Sequence, residues 1–377
     1  MKLLSILGTR PEAIKLAPVI RLLRQQKEIA SRVCVTGQHR ELLTPFLRLF
    51  CIEPSINLEI MEEDQTLPQL TSRAMTAISD VLQAERPDVV LVHGDTTTAL
   101  VAAQAAFYQR IPLGHVEAGL RTGNKYDPFP EEMNRTWIDS VADFLFAPTA
   151  RSRDNLLKEG ADEARIHVCG NTVVDALLWI CRAQSGGEQE RRLAARLAEE
   201  HGIPMDGRRI LLVTGHRRES FGEPFEQICQ ALRRIAERNP GVLLVYPVHL
   251  NPNVRGPVGR ILSGVENVKL IEPLGYEEFV FLMRHAYLIL TDSGGIQEEA
   301  PSLQKPVLVM RNETERPEAI EAGTARLVGT RIESIVSETQ RLLDEPSEYE
   351  AMRAAANPFG DGHAAERIVT VLEEGLR

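Results

Sequence analysis

Leu288–Ala300, LILTDSGGIQEEA, is an apolar run that stops at Asp292, Ser293, Gly294 and Gly295 and passes directly into a helical pattern. A strand that ends in small residues and opens a helix belongs to a parallel α/β sheet and suits an anion. The glycines let backbone N–H groups approach a phosphate, and the helix N-terminus adds partial positive charge. Glu298 and Glu299, one turn in, stand where a carboxylate takes ribose hydroxyls. The same stretch also fits a plain tight turn, so the rest of the chain decides.

Outward from this junction, apolar runs alternate with longer amphipathic stretches. The first set is Leu3–Leu7, Val33–Thr36, Val89–His93, Leu113–Val116 and Phe144–Ala147. After a polar, helix-rich interval, Gln184–Arg209, the rhythm restarts at Ile210–Thr214, Val242–Tyr246, Val268–Ile271, Tyr287–Thr291, Pro306–Met310 and Arg326–Val328. This predicts an α/β protein of two doubly wound, Rossmann-like domains facing across a cleft, since ligands of such sheets bind beyond the carboxyl ends of the strands. The expected boundaries are 1–170 for the first domain and 171–360 for the second, with a last helix, 361–377, crossing back to the first. Gly186-Gly187 reads as an extended linker. The chain contains no G-x-G-x-x-G and no Walker A pattern, so a phosphate site here points to a nucleotide-sugar rather than a dinucleotide.

The 377 residues exceed one typical core, and the net charge of −10 argues against nucleic-acid binding. Cys34, Cys51, Cys169, Cys181 and Cys229 are odd in number and form no CxxC pair, which fits reduced thiols and the cytoplasm. No run is long enough for a membrane span.

Charged residues recur at the expected strand ends. Arg10, in GTRPE after the first run, is favoured as a phosphate contact, and Lys15 either reaches the same cleft or covers the helix flank. Asp95 in HGDTTT serves as a helix N-cap or in catalysis. Glu117 in HVEAG has no evident capping role, so a general acid or base is the sharper reading. Glu131, beside Glu132 at a helix start, fits either a catalytic or an ordinary first-turn acid. His216, in TGHRRE at a strand end, is placed to stabilise a leaving phosphate, and Arg316 shares the geometric argument made for Arg10.

Together these segments resemble the non-hydrolysing UDP-N-acetylglucosamine 2-epimerases over essentially the whole chain. The resemblance is carried by GTRPEAIKLAPVI, TGQHRELL, VHGDTTTAL, GHVEAGLRTG, PFPEEMNR, GNTVVDAL, VTGHRRESFG, YPVHLNPNV, TDSGGIQEEAPSLQKPVLVMR, ERPEA and NPFGDGHAAERI. It implies a glycosyltransferase-B-like fold, a homodimer, no nicotinamide and no metal, and reversible conversion of UDP-GlcNAc to UDP-ManNAc through a glycal. It further implies proton transfer by Asp95, Glu117 and Glu131 with His216 assisting the diphosphate. UDP would be held by Arg10, Lys15, Phe279, Ser293, Gly294, Gly295, Glu299 and Arg316. A second, activating UDP-GlcNAc would lie at Gln38, Glu41, Arg73, Arg217 and His249, with Glu41 standing where some regulated members have glutamine. A glycosyltransferase, a hydrolysing epimerase, an epimerase of a modified UDP-sugar and a non-enzymatic nucleotide-sugar sensor remain as alternatives.

Overall fold

In the computed structural model, residues 1–37, 40–60, 62 and 65–375 are described, the side chains of 40–42 excepted. The chain divides into two compact units, Met1–Ala176 with Phe359–Arg377, and Leu177–Pro358. Each is built on one parallel sheet.

In the first unit the strands are β1 (Lys2–Leu7), β2 (Ala30–Val35), β3 (Ile56–Asn57), β4 (Val89–His93), β5 (Leu113–Val116), β6 (Phe144–Ala147) and β7 (Ile166–Val168). They lie in the order β3-β2-β1-β4-β5-β6-β7 with every pairing parallel. The central strands are buried on both faces, which is why they read as continuous apolar runs rather than alternating ones. The helix Thr97–Tyr108 is buried almost all round because it packs against both Leu67–Glu85 and Glu131–Val141. The edge strands β3 and β7 are additions to the pattern that the sequence predicts. They are two and three residues long and include polar positions, too little for a periodic signal.

The second unit holds β8 (Arg209–Thr214), β9 (Val242–Pro247), β10 (Val268–Ile271), β11 (Ala286–Thr291), β12 (Val307–Val309) and β13 (Ala325–Leu327). Their order is β10-β9-β8-β11-β12-β13, again all parallel. The strand order of the first unit reverses at β1/β4 and that of the second at β8/β11. These switch points, where helices leave for opposite faces, are the ligand positions of doubly wound sheets.

The passage from the first unit to the second falls inside one continuous helix, Thr172–Gln184. Gly186-Gly187 is not an extended linker. Gly187 begins the helix Gly187–His201, and this region is bound to the second unit: Gln184 donates to Glu277 O at 2.7 Å and Arg196 pairs with Glu278 at 2.6 Å. The returning segment ends in the helix Ala364–Gly375, which packs on Arg10–Gln25 and is capped by Asp175, whose carboxylate accepts from Ala365 N–H at 2.8 Å. All five cysteines are free. No helix among the described residues is long and apolar enough to cross a membrane.

Candidate functional site

Beyond the carboxyl ends of β1, β4 and β5, the first unit gathers its charged side chains. After β1, Thr9 caps the helix Arg10–Gln25 in a capping box with Glu12. Glu12 is buried, and its Oε2 accepts from Gly8 N–H at 3.1 Å and from Thr9 N–H and hydroxyl, both at 2.7 Å. Its Oε1 accepts from the Thr96 hydroxyl at 2.9 Å. The backbone donors of this turn are therefore occupied by the protein's own carboxylate. Arg10, the first residue of that helix, is exposed and lies 5.6 Å over the Phe46 ring.

After β4, the helix Thr97–Tyr108 is capped by Thr96, whose hydroxyl accepts from Ala99 N–H at 3.0 Å. Asp95 is thereby not the cap. Its carboxylate is hydrogen-bonded by Arg135, and its carbonyl accepts from Asn134 Nδ2 at 2.8 Å. Burial raises the Asp95 carboxyl above its ordinary value, with Arg135 opposing.

After β5, Glu117 adopts a left-handed backbone, φ 71°, an unusual conformation for a side chain with a Cβ. Its Oε2 takes hydrogen bonds from Lys15 Nζ and, at 2.8 Å, from Asn171 Nδ2. Its Oε1 lies 3.7 Å from His93 Nε2. His93 is buried with no hydrogen bond at either ring nitrogen, and burial pushes its pKa down to about 3, so it is a neutral neighbour of the carboxylate. Lys15 thus reaches the site rather than covering a helix flank.

The helix Glu131–Val141 organises both acid loops. Asn134 and Arg135 hold Asp95, while Asp139 takes His115 Nδ1 at 2.6 Å, Gly119 N–H at 3.1 Å and Arg121 Nη2 at 2.7 Å. His115 Nε2 in turn meets Gly94 O at 2.7 Å. Glu131 lies one turn from Arg135 on the same helix face and is half-buried. Glu132 is a loop pin, accepting from Thr122 and Gly123 N–H groups, each at 2.9 Å.

The second unit repeats the logic of an internal carboxylate in a strand-end turn. Asp292, after β11, accepts from His216 N–H at 2.7 Å and Arg217 N–H at 2.8 Å through one oxygen. Its other oxygen is 3.6 Å from His216 Nδ1. His216 stacks on His249 with ring centroids 5.2 Å apart. Burial lowers the His216 pKa, and His249 and Arg217 push the same way against Asp292. Tyr246, whose hydroxyl donates to Gly215 O at 2.7 Å, fixes this turn from below.

Ser293 stands at the N-cap position of the short helix Gly294–Glu299 without a side-chain capping hydrogen bond. Neither glycine there has a left-handed backbone, and an added Cβ would approach only side-chain ends, Arg217 Nη2 at 3.7 Å for Gly294 and Ser293 Oγ at 3.9 Å for Gly295. Packing within the protein does not demand glycine at these places, and the absence of a Cβ leaves the backbone N–H groups accessible. Glu298 is buried, and its Oε1 is engaged by Arg316 Nε. Glu299 accepts from Tyr276 OH at 3.1 Å, and Phe279 lies half-buried on the same helix as Tyr276.

Of the remaining expected residues, Gln38 and the side chain of Glu41 lie outside the described residues. Arg73, in the first unit, is bonded by Glu62 and Gln65. In the second unit, Arg217 belongs to the His216 turn, and His249, in the loop after β9, stacks on His216. Glu200, His201 and Glu278 bring donor atoms within 4.8 Å of one another, but Glu278 already pairs with Arg196.

Sequence reasoning missed Glu12, His93, His115, Asp139, Asn171, Tyr276 and Asp292. Two carried a readable signal: Thr9-x-x-Glu12 is a capping-box pattern, and a histidine inside the buried run Leu113–Val116 demands a partner.

Fold and site define a two-unit, doubly wound α/β protein of glycosyltransferase-B-like architecture, with its charged side chains beyond the strand ends. The family model described as UDP-N-acetylglucosamine 2-epimerase matches residues 21–373. A UDP-N-acetylglucosamine 2-epimerase of Salmonella typhimurium is 56% identical over 99% of this chain and 98% of its own length, and one of Yersinia pestis is 55% identical with the same coverage. The crystal structure of the Neisseria meningitidis UDP-GlcNAc 2-epimerase bound to UDP-GlcNAc aligns with a TM-score of 0.90 at 46% identity, covering 99% of this chain and all of that one. That of the Methanocaldococcus jannaschii enzyme in complex with UDP-GlcNAc and UDP aligns at 0.80 and 36% identity over the whole of both chains. The chain belongs to the UDP-N-acetylglucosamine 2-epimerase family.

Proposed function

We propose that this protein reversibly epimerises UDP-N-acetylglucosamine to UDP-N-acetylmannosamine at C2, by elimination of UDP and its return. The observation that carries this reading, beyond family membership, is Glu117, held by Lys15 and Asn171 while Asp95 is held by Arg135 nearby in the same unit. A C2 proton next to no carbonyl is not acidic. Departure of UDP from C1 supplies the activation: as the C1–O bond breaks, a carboxylate takes the C2 proton and the C1–C2 bond becomes the double bond of a glycal. Return of a proton to the opposite face of C2, with UDP re-adding at C1, gives the epimer. Two faces require two proton-handling groups, and Asp95, Glu117 and Glu131 supply them. Carbon oxidation states balance without a nicotinamide or a metal.

In the second unit Ser293, Gly294 and Gly295 receive the diphosphate, Glu299 the ribose and Phe279 the uracil, with Arg10, Lys15 and Arg316 as further contacts. His216, neutral without ligand, gains a proton's favour from the diphosphate charge and steadies UDP as it leaves and returns. The active form is a homodimer in the cytoplasm, its product feeds bacterial surface polysaccharide, and a second UDP-GlcNAc at Gln38, Glu41, Arg73, Arg217 and His249 activates it.

The test is an NMR time course on UDP-GlcNAc in D2O with no added NAD or metal. UDP-ManNAc should appear with deuterium at C2, and Glu117→Gln should slow this by about two to four orders of magnitude. Epimer that keeps all of its original C2 hydrogen would sink the mechanism.

A further inference from the structure

We propose that Asn171 is a positioning residue for the reaction, orienting Glu117 and fastening it to the place where the chain leaves and re-enters the first unit. The inference rests on the epimerase reading above. Asn171 is buried, and each polar group of its side chain has a set partner. Oδ1 accepts from Val173 N–H at 3.0 Å, which fixes the amide so that Nδ2 faces Glu117 Oε2 at 2.8 Å. The same Glu117 oxygen takes Lys15. A carboxylate oxygen held by an ammonium and an amide has its plane set, and so has the direction in which the other oxygen points.

The backbone of Asn171 is equally engaged. Its N–H donates to Phe359 O at 2.6 Å, and Phe359 is the first residue of the returning segment. Asn171 also immediately precedes the helix Thr172–Gln184, within which the chain departs at Ala176. Gly170 and Gly360 let the two segments meet: both have left-handed φ, and a Cβ on Gly170 would sit 3.3 Å from Gly360 Cα. One asparagine therefore binds outgoing chain, returning chain and candidate base. An aliphatic or charged residue would pack here at similar volume but could not serve all three.

Asn171→Ser and Asn171→Asp separate positioning from folding. Serine keeps a hydroxyl acceptor for Val173 N–H but is too short to reach Glu117; aspartate keeps the acceptor and turns a carboxylate on Glu117. Lys15, His93 and Asp95 also face Glu117 and are the same in all three proteins. A donated hydrogen bond favours the charged carboxylate, and a like charge disfavours it more strongly. The acid limb of the kcat/KM profile should therefore move to higher pH in the order wild type, Asn171→Ser, Asn171→Asp. Turnover at neutral pH should fall about ten- to a hundredfold, the range a hydrogen bond to a charged group supports. UDP affinity, carried largely by Ser293, Gly294, Gly295, Glu299 and Phe279, should change by less than about threefold, and the circular dichroism spectrum should stay as in wild type. Three superimposable pH profiles from an active wild type, or full turnover in Asn171→Asp, would overturn the assignment alone. A wild-type protein that exchanges no deuterium at C2 would remove the epimerase reading and this assignment with it.

Discussion

Glu12 shows how much one buried side chain settles. Its carboxylate accepts from the Gly8 and Thr9 backbone and from the Thr9 and Thr96 hydroxyls, yet burial outweighs these bonds and pushes its pKa up to about 6. The folded value lies above the ordinary one of 4.5, so the native chain holds this proton more tightly than the unfolded chain does. The stability it contributes is complete below the unfolded value and is lost as pH rises through about 6. The size is about 2 kcal/mol, at roughly 1.4 kcal/mol per unit. Glu12→Gln removes the titration. Urea unfolding at about pH 4 and about pH 7.5 should show wild type losing about 2 kcal/mol more than the variant over that interval. Equal losses in both proteins would place the pH dependence elsewhere.

The helix Glu131–Val141 is the element that holds the strand-end loops of the first unit. It carries Glu131, grips Asp95 through Asn134 and Arg135, and ties the Gly94 and Gly119 turns together through Asp139 and His115. Burial alone would raise the Asp139 carboxyl, but His115 and Arg121 outweigh it and hold it below the ordinary carboxylate value. Its stabilisation is present above that ordinary value and is lost as pH falls. Asp139→Asn leaves Arg121 and His115 facing an uncharged amide in a buried site, and such losses cost about 3–5 kcal/mol. Thermal unfolding near neutral pH should show a large drop in Tm, and turnover should fall with it because both acid loops lose their anchor. An unchanged Tm would mean that this network adds nothing to the fold.

At the scale of the molecule, the expected activating residues are distributed over both units: Arg73 in the first, Arg217 and His249 in the second. A proposed activator can act only through a difference in its affinity for two states of the protein, and its effect on substrate binding is reciprocal. Progress curves begun from pure UDP-ManNAc should show a lag that a trace of UDP-GlcNAc abolishes, and Arg73→Ala should weaken this more than it weakens turnover at saturating UDP-GlcNAc. A full initial rate indifferent to added UDP-GlcNAc would leave these residues without a regulatory role. What the sequence by itself determined is whatever short-range pattern encodes: the alternation of buried runs and amphipathic helices, the parallel class of both sheets, the glycine turn after β11, and the motifs that mark the family. The tertiary structure alone decided which partner each acid has. Lys15 meets Glu117 across 102 residues, Asn171 meets it across 54, and Asp292 fills the His216 turn across 76. Those pairings follow from strand order, which runs β1-β4-β5-β6-β7 across the first sheet and sets β8 beside β11 in the second, and periodicity carries no information about order. The passage between units was hidden for a related reason: it lies inside the uninterrupted helix Thr172–Gln184, whose local pattern is the same on either side of Ala176, so only the contacts made in space divide it.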